Sequence, residues 1–291
     1  MFQKYVFPRN VSAAVHLLNE HRGNARIMAG GTDLILDLQN GKYSTDCIVD
    51  ITRIEELKQI SEENGNIVIG AAVTHNQATK SFLVQQNAAA LAQASAAVGS
   101  QQIRNISTIV GNVVSAQPAA DSAVALFALD AQVRVVSADG LTVMPIENLY
   151  AGIGKSTIDS TLSLVTAVLI KKVEPGEGSA FVRLEQRKAL TLPMLNTAVK
   201  ISVKDQRIKE ARIVMAPVGI GPVRATESEA FLKDKMPSEE VLQEAGRLAA
   251  ENANPRDSLV RGSRNYRLAV LPVLVRRALE QAINNAEGGG F

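Results

Sequence analysis

The sequence has 291 residues with 31 Lys and Arg against 29 Asp and Glu, so its formal net charge is only +2. A nearly neutral chain has no long-range field that attracts nucleic acid, and 4% aromatic residues with no Trp are too few for base-stacking platforms. With a single cysteine and three histidines, the chain cannot form an internal disulfide or a cysteine-ligated iron–sulfur cluster, and a histidine-rich metal site is not expected.

The sequence contains no run of about eighteen apolar residues, and its first ten residues lack the basic and apolar segments of an export signal. We therefore expect neither membrane insertion nor export, and we predict a cytoplasmic protein. Cys47 falls in an apolar stretch and is expected to be a core thiol rather than a reactive one.

The first fifty residues predict a helix followed by a strand, a loop and a second strand. Val11, Ala14, Val15 and Leu18 are spaced as on one face of a helix. An apolar strand then runs into the paired glycines of AGGTDL (29–34), a short amphipathic turn follows, and DCIVDITRI supplies the second strand.

The middle of the chain is rich in alanine and in turn-forming residues. NGNIVIGAAVT indicates a turn and a strand, and the alanine-rich stretch 88–98 has high helix propensity. Residues 100–118 are predicted as a turn-forming loop, which leads into an apolar helix over 119–129 and then into an alternating strand.

A polar link that contains proline and glycine marks a domain boundary near residue 174. Beyond it, TAVKISVKD and EARIVMAPV alternate apolar and polar residues, which predicts two antiparallel strands. The GGGF tail is expected to fray. Three helices are expected in this part, over 227–233, 238–252 and 263–283.

AGGTDL places two glycines, a hydroxyl and a carboxylate directly after a predicted strand. Glycine adopts positive φ and lets backbone N–H groups approach an anion closely, and Thr32 can donate a hydrogen bond to a phosphate oxygen. A plain strand-to-helix turn, with Thr32 or Asp33 as the N-cap, explains the same residues.

A second segment, TIVGNVVSAQPAAD (108–121), has the same ingredients. Thr108, Gly111, Asn112 and Ser115 are followed by Asp121 at a predicted helix start. Two such segments can grip a diphosphate from opposite sides, although turn chemistry and a helix cap explain this segment equally well on its own.

Together, the two segments and several further motifs resemble the FAD-binding medium subunit of the molybdenum hydroxylases, the xanthine dehydrogenase and carbon monoxide dehydrogenase family. The similarity spans nearly the whole chain. The motifs that carry it are AGGTDL, IGAAVT (69–74), QIRNISTIVGN (102–112), PAADSAVALFALDAQV (118–133), GPVRA (221–225) and RGSRNYR (261–267).

The resemblance implies an α+β chain in three parts. Residues 1–57 and 58–173 would form a two-subdomain FAD-binding fold of the vanillyl-alcohol-oxidase type. Residues 174–291 would form a C-terminal flavoprotein domain with an antiparallel sheet and a helix cluster. The implied cofactor is FAD.

The family places the FAD diphosphate against both glycine segments. Strands near 164–167 and 192–196 are expected to pass close to the isoalloxazine ring. No catalytic residue and no metal ligand is expected, because the cofactor supplies the redox chemistry. The implied cofactor-binding residues are Ala29, Gly30, Gly31, Thr32, Asp33 and Leu34 in the first segment, Thr108, Ile109, Gly111 and Asn112 in the second, and Ser115 and Asp121 beyond it.

Three features depart from the family pattern. Val110 stands where TIGGN has its first glycine, and a β-branched residue is strained there if the position needs positive φ. Leu192 and Pro193 stand where many relatives carry an acidic residue, which would change the electrostatics near the flavin ring. The single cysteine excludes the iron–sulfur insert that one branch of the family carries.

The implied function is that of an FAD-binding electron-transfer subunit of a molybdopterin-dependent hydroxylase or dehydrogenase. Electrons would arrive from an iron–sulfur small subunit, itself supplied by a molybdopterin large subunit, and pass through FAD to NAD or another acceptor. Two alternatives are a self-sufficient FAD-dependent oxidase of the same fold and a scaffold that has lost its flavin. The organic substrate cannot be predicted, because its pocket would lie on another polypeptide.

Overall fold

The computed structural model describes residues 2–187 and 190–288, so most of the GGGF tail that is predicted to fray lies outside the described residues. Across the described residues, helices and sheets are mixed along the chain, which confirms the predicted α+β class. None of the described helices is long and apolar enough to cross a membrane.

Residues 4–50 form a three-stranded parallel sheet with two helices. The elements are β1 (Lys4–Val6), α1 (Val11–Glu20), β2 (Ala25–Met28), α2 (Leu34–Gln39) and β3 (Cys47–Asp50), and the strand order is β1-β3-β2. The first predicted helix is confirmed. The Asn10 side chain caps it by accepting a hydrogen bond from the Ala13 N–H, and Ala14, Val15 and Leu18 are buried on one face.

Residues 60–171 form a five-stranded antiparallel sheet in the order β4-β5-β10-β6-β7, with six helices between its second and third strands along the chain. The first strands are β4 (Ile60–Glu63) and β5 (Asn66–Gly70). The helices are α3 (His75–Lys80), α4 (Phe82–Asn87), α5 (Ala89–Ala97), α6 (Gln101–Ile106), α7 (Ile109–Val114) and α8 (Asp121–Ala128). The remaining strands are β6 (Gln132–Ser137), β7 (Gly140–Pro145), the short pair β8 (Tyr150–Gly152) and β9 (Lys155–Ser156), and β10 (Leu164–Lys171).

The prediction of one turn-forming loop over 100–118 is wrong, because α6 and α7 lie within it. The turn-forming residues sit at the starts of these two short helices. Ser100 accepts a hydrogen bond from the Ile103 N–H, and Thr108 accepts one from the Gly111 N–H. Serine and threonine favour both turns and N-caps, so their presence alone did not distinguish a loop from capped helices.

Residues 177–286 form a four-stranded antiparallel sheet packed against three helices. The elements are β11 (Glu177–Leu184), β12 (Leu195–Lys204), β13 (Arg207–Ala216), β14 (Val223–Arg224), α9 (Thr226–Leu232), α10 (Glu239–Glu251) and α11 (Arg264–Ala286). The predicted antiparallel pair is β12 and β13, which are joined by Asp205 and Gln206, both at positive φ. All three predicted helices are confirmed, with ends within three residues of the predicted ones.

Two hydrophobic cores hold these elements. The larger core takes residues from α1, β3, β5, α5, α7, α8 and β10, so the first two sheets share it, and β11, β12 and β13 of the C-terminal sheet also contribute to it. The smaller core lies between the C-terminal sheet and helices α9, α10 and α11. Cys47 is fully buried in the larger core, which confirms the prediction of a core thiol.

Candidate functional site

Residues 29–34, hereafter the first glycine segment, connect β2 to α2 and form a sharp turn. Gly31 adopts φ +68°, a conformation that L side chains rarely adopt. Among the described residues, none accepts a hydrogen bond from the backbone N–H groups of Gly31, Thr32 and Asp33. Consecutive unpaired N–H groups at such a turn form a concave set of donors that suits an anion.

Residues 108–112, hereafter the second glycine segment, form the start of α7. Thr108 is the N-cap, and its hydroxyl accepts a hydrogen bond from the Gly111 N–H at 3.0 Å. Val110 lies inside the helix and is not among the described residues with positive φ. A helix suits valine here, so the strain considered for this position does not arise.

The two glycine segments meet in space although some eighty residues separate them. A Cβ atom on Gly30 would lie 2.0 Å from the carbonyl oxygen of Ile106 and 2.9 Å from the Cα of Ser107. Real Cβ atoms do not approach other atoms so closely, so only glycine permits this contact. The backbone just before the second segment therefore rests directly on the first.

A cleft of about 390 Å³ opens beside this contact, within the range of roughly 300–1,000 Å³ that is usual for small-molecule sites. Strand β10 also contributes Leu164 and Val165 to its wall, which brings one of the two predicted flavin-ring strands to the cleft. Ten of the twelve predicted residues line the cleft, namely Ala29, Gly30, Gly31, Thr32, Asp33, Leu34, Thr108, Gly111, Asn112 and Ser115.

The other two predicted residues, Ile109 and Asp121, do not line this cleft. The Ile109 side chain is fully buried in the larger core, because it begins the inward face of α7. Asp121 begins α8, and its carboxylate is turned toward the C-terminal sheet. The Arg183 Nη1 lies 3.1 Å from its Oδ2, and Asn196 Nδ2 donates to its Oδ1 at 2.7 Å.

Burial raises the pKa of the Asp121 carboxyl to about 6, although Arg183 and the hydrogen bond from Asn196 both act to lower it. Asn196 lies on β12, within the second predicted flavin-ring strand. Sequence reasoning could not find this pairing, because its partners lie 62 and 75 residues further along the chain.

Charged side chains also line the cleft, and one of them, Arg26, stacks on Tyr43. The Arg26 guanidinium lies 3.9 Å from the centroid of the Tyr43 ring, a cation–π contact that leaves its buried Nε without a partner among the described residues. Burial, with repulsion from Asp37, raises the pKa of Asp33 above its ordinary value against the opposing effect of Lys42.

Two residues of this site were not singled out from the sequence as binding residues. Arg26 lies in the apolar strand β2 and lines the cleft. The only sign of a binding role in the sequence is that it is a single charged residue between apolar neighbours. His75 is fully buried and borders the cleft. Among the described residues, no cluster of His, Cys, Asp and Glu is arranged to hold a metal ion.

Two family models together match most of the chain. Residues 1–171 match the FAD binding domain in molybdopterin dehydrogenase, and residues 180–282 match the CO dehydrogenase flavoprotein C-terminal domain. The chain belongs to the FAD-binding medium subunits of the molybdenum hydroxylases. This medium subunit binds FAD, which confirms the cofactor that the sequence motifs imply.

Known proteins resemble the medium subunit over almost their whole length. It is 26% identical over 288 residues to the xanthine dehydrogenase FAD-binding subunit of Escherichia coli O157:H7, covering 99% of this chain and 98% of the relative. It is 31% identical over 284 residues to the 6-hydroxypseudooxynicotine dehydrogenase complex subunit alpha of Paenarthrobacter nicotinovorans, covering 97% and 95%.

The fold is shared with a solved structure. A carbon monoxide dehydrogenase from Hydrogenophaga pseudoflava that lacks the Mo-pyranopterin moiety of its molybdenum cofactor matches with a TM-score of 0.91 and 26% identity. The match covers 98% of both chains. Similarity to dehydrogenase subunits over the whole length does not favour a self-sufficient oxidase.

Proposed function

We propose that the cleft between the two glycine segments holds the diphosphate of FAD. The observation that carries this proposal is the set of unpaired backbone donors at Gly31, Thr32 and Asp33, residues that line the same cleft as the second segment. A diphosphate is bound by several hydrogen-bond donors, and small neighbouring residues let these donors approach it closely. The three N–H groups supply the donors, and the glycines of the first segment are the small residues. The ten lining residues named above are the proposed binding set.

The bound flavin supplies the electron chemistry, while the chain binds and orients it. In this proposal the Thr32 hydroxyl donates to a phosphate oxygen, since none of the described residues accepts a hydrogen bond from it. Leu164 and Val165 provide an apolar wall that excludes water from one side of the cofactor. Asp121, through Arg183 and Asn196, fixes α8 to the C-terminal sheet.

We also propose the predicted division into three parts, with 1–57 and 58–173 as FAD-binding subdomains and 174–291 as the C-terminal flavoprotein domain. The limits of the three sheets and of the two family matches support this division. Because the larger core takes residues from all three sheets, we expect the three parts to unfold together.

The relatives are subunits of dehydrogenase complexes, and the medium subunit accordingly has partner subunits. We propose that these are an iron–sulfur small subunit and a molybdopterin large subunit. Electrons would enter from the small subunit and leave through FAD to NAD or another acceptor. A cytoplasmic location stays a prediction from the sequence.

FAD titration of the isolated full-length chain tests the proposed cofactor site. One FAD per chain, with quenching of flavin fluorescence, is the expected result. A folded chain that binds no FAD would contradict the proposal and would restore the hypothesis of a scaffold without flavin. Co-purification of the tagged chain from its host, followed by identification of the bound polypeptides, tests the partners.

A further inference from the structure

A chain of polar contacts runs from His75 to the wall of the cleft. Nδ1 of His75 lies 2.9 Å from the Oγ of Ser107 and 3.0 Å from its carbonyl oxygen, and Nε2 lies 3.3 Å from Ser122 Oγ. Ser122 Oγ lies 2.5 Å from Asn112 Oδ1. Since Asn112 lines the cleft, the buried imidazole is connected to the proposed cofactor site.

His75 is neutral near pH 7, because burial lowers its pKa to about 4, with the hydrogen bond to the Ser107 backbone opposing this shift and the nearby Arg104 adding to it. A neutral imidazole has one N–H donor and one acceptor nitrogen, and a serine hydroxyl has a single hydrogen to donate. With these numbers of donors and acceptors, the hydrogen bonds from His75 to Asn112 can run in either of two directions.

In the first arrangement, Nδ1–H of His75 donates to the Ser107 carbonyl oxygen and Nε2 accepts from Ser122. The Ser122 oxygen must then accept from the amide nitrogen of Asn112, and the amide oxygen faces the cleft. In the second arrangement, Nε2–H donates to Ser122 and Ser122 donates to Asn112 Oδ1. The Asn112 NH₂ group then faces the cleft, and the Ser107 hydroxyl donates to Nδ1.

Two observations and one chemical argument favour the second arrangement. The 2.5 Å contact between Ser122 and Asn112 suits an O–H donor, because N–H donors keep a distance of about 2.7 Å or more. The Ser107 carbonyl oxygen already accepts a hydrogen bond from the His75 backbone N–H at 3.0 Å. An NH₂ group also suits an anionic ligand better than a second oxygen does.

We propose that His75 is a positioning residue that acts through Ser122 to turn the Asn112 NH₂ group toward the cofactor diphosphate. This inference rests on the proposed location of FAD between the two glycine segments. In this arrangement His75 acts through Ser122 and makes no hydrogen bond of its own to the diphosphate. Its role is to decide whether Asn112 presents a donor or an acceptor to the cleft.

The tautomer of His75 can be measured without any cofactor. NMR of the full-length chain labelled with ¹⁵N-histidine distinguishes protonated from unprotonated ring nitrogens, and the spectrum of His75→Gln assigns the signal. We expect the Nε2–H form in the wild-type chain. In Ser122→Ala, we expect a shift to the Nδ1–H form, because Nε2–H loses its acceptor while the Ser107 carbonyl oxygen stays in place.

FAD affinity provides the second readout. We expect Ser122→Ala to raise the dissociation constant about tenfold, because the Asn112 amide is then free to rotate. Ser95→Ala is a matched control, since Ser95 is also fully buried and its Oγ has no partner among the described residues. FAD binding by Ser95→Ala should equal that of the wild type.

Asn112→Asp provides a test if Ser122→Ala does not fold. Asn112 is only half-buried, and an aspartate still accepts from Ser122 but presents an oxygen to the cleft. FAD should bind at least about tenfold more weakly, while His75 keeps its Nε2–H form. Unchanged FAD affinity in Asn112→Asp or in folded Ser122→Ala would overturn the inference.

An Nδ1–H imidazole in a wild-type chain that binds FAD would overturn the positioning role and leave the proposed FAD site intact. A wild-type chain that binds no FAD would overturn the proposed site and this inference with it. The two failures are therefore distinguishable in the same set of samples.

Discussion

Gly30 lies against Ile106 so closely that a Cβ atom on residue 30 would stand 2.0 Å from the Ile106 carbonyl oxygen. The obstacle is backbone, which cannot rotate away as a flexible side chain does. Any larger residue at position 30 must therefore push the two glycine segments apart.

Gly30→Ala should accordingly weaken FAD binding by more than about tenfold and destabilise the chain by about 1–3 kcal/mol. Flavin fluorescence titration and denaturant unfolding measure the two effects. Gly246→Ala is the matched control, because its Cβ would lie 2.5 Å from the Pro272 carbonyl oxygen in the packing of α10 on α11. It should lose stability but keep its FAD affinity, and equal affinity losses in both variants would contradict the specific role of Gly30.

Thr32→Val removes a hydroxyl from the first glycine segment while keeping the shape of the side chain. We expect FAD to bind about ten- to 150-fold more weakly, as for the loss of one hydrogen bond to a charged group. Stability should change little, because none of the described residues accepts a hydrogen bond from this hydroxyl. Thr142→Val, on the exposed face of β7, should bind FAD like the wild type.

The buried groups Asp121 and His75 affect the pH dependence of stability in opposite directions. The pKa of Asp121 is raised to about 6 in the folded chain, so between about pH 4 and 6 the folded state binds a proton that the unfolded state has lost. Its contribution to stability therefore falls as the pH rises through this window. The pKa of His75 is lowered to about 4, so its contribution rises with pH from about 4 to 6.5.

Two variants separate these contributions. Relative to the wild type, Asp121→Asn should gain stability as the pH rises from about 4 to 6, and His75→Gln should lose it over about 4 to 6.5. Each change should amount to roughly 3 kcal/mol at most, from a pKa difference of about two units. Urea unfolding at several pH values gives the free energies, and parallel pH profiles for the wild type and either variant would disprove the corresponding assignment.

Cys47 offers a direct measure of how rigid the larger core is. Its side chain is fully buried, and burial raises the pKa of its thiol, so the native chain should react with a thiol reagent at least about a thousandfold more slowly than the unfolded chain. Because the chain has one cysteine, absorbance of the released thiolate reports this site alone. Rapid labelling of the native chain would show that β3 opens locally.

Periodicity and motif together predicted much of this fold. The helices α1, α8, α10 and α11 have clear apolar spacing, and the antiparallel pair β12 and β13 alternates as expected. The short helices α6 and α7 were missed, because six residues contain too few turns for a period to show and their capping residues also favour loops.

The candidate site residues were chosen from sequence motifs that resemble the family, because the sequence alone gives no geometry. Nine of the ten predicted residues that line the cleft lie within the two glycine segments, whose sequences resemble the family motifs, and Ser115 follows the second segment. The hydrogen bonds of the buried His75 and the ion pair of Asp121 with Arg183 join residues that are 32 to 62 positions apart in the sequence. Such contacts leave no local signal in a single sequence, because burial and hydrogen bonding are decided by the packing of distant elements.

Asp121 and Ser122 are consecutive residues whose side chains make hydrogen bonds to different parts of the molecule. The first is tied to β11 and β12 by Arg183 and Asn196, and the second supports Asn112 in the cleft. If a partner subunit docks on the C-terminal sheet and displaces it, we therefore expect the movement to reach the cleft across one peptide bond and to change the affinity for FAD.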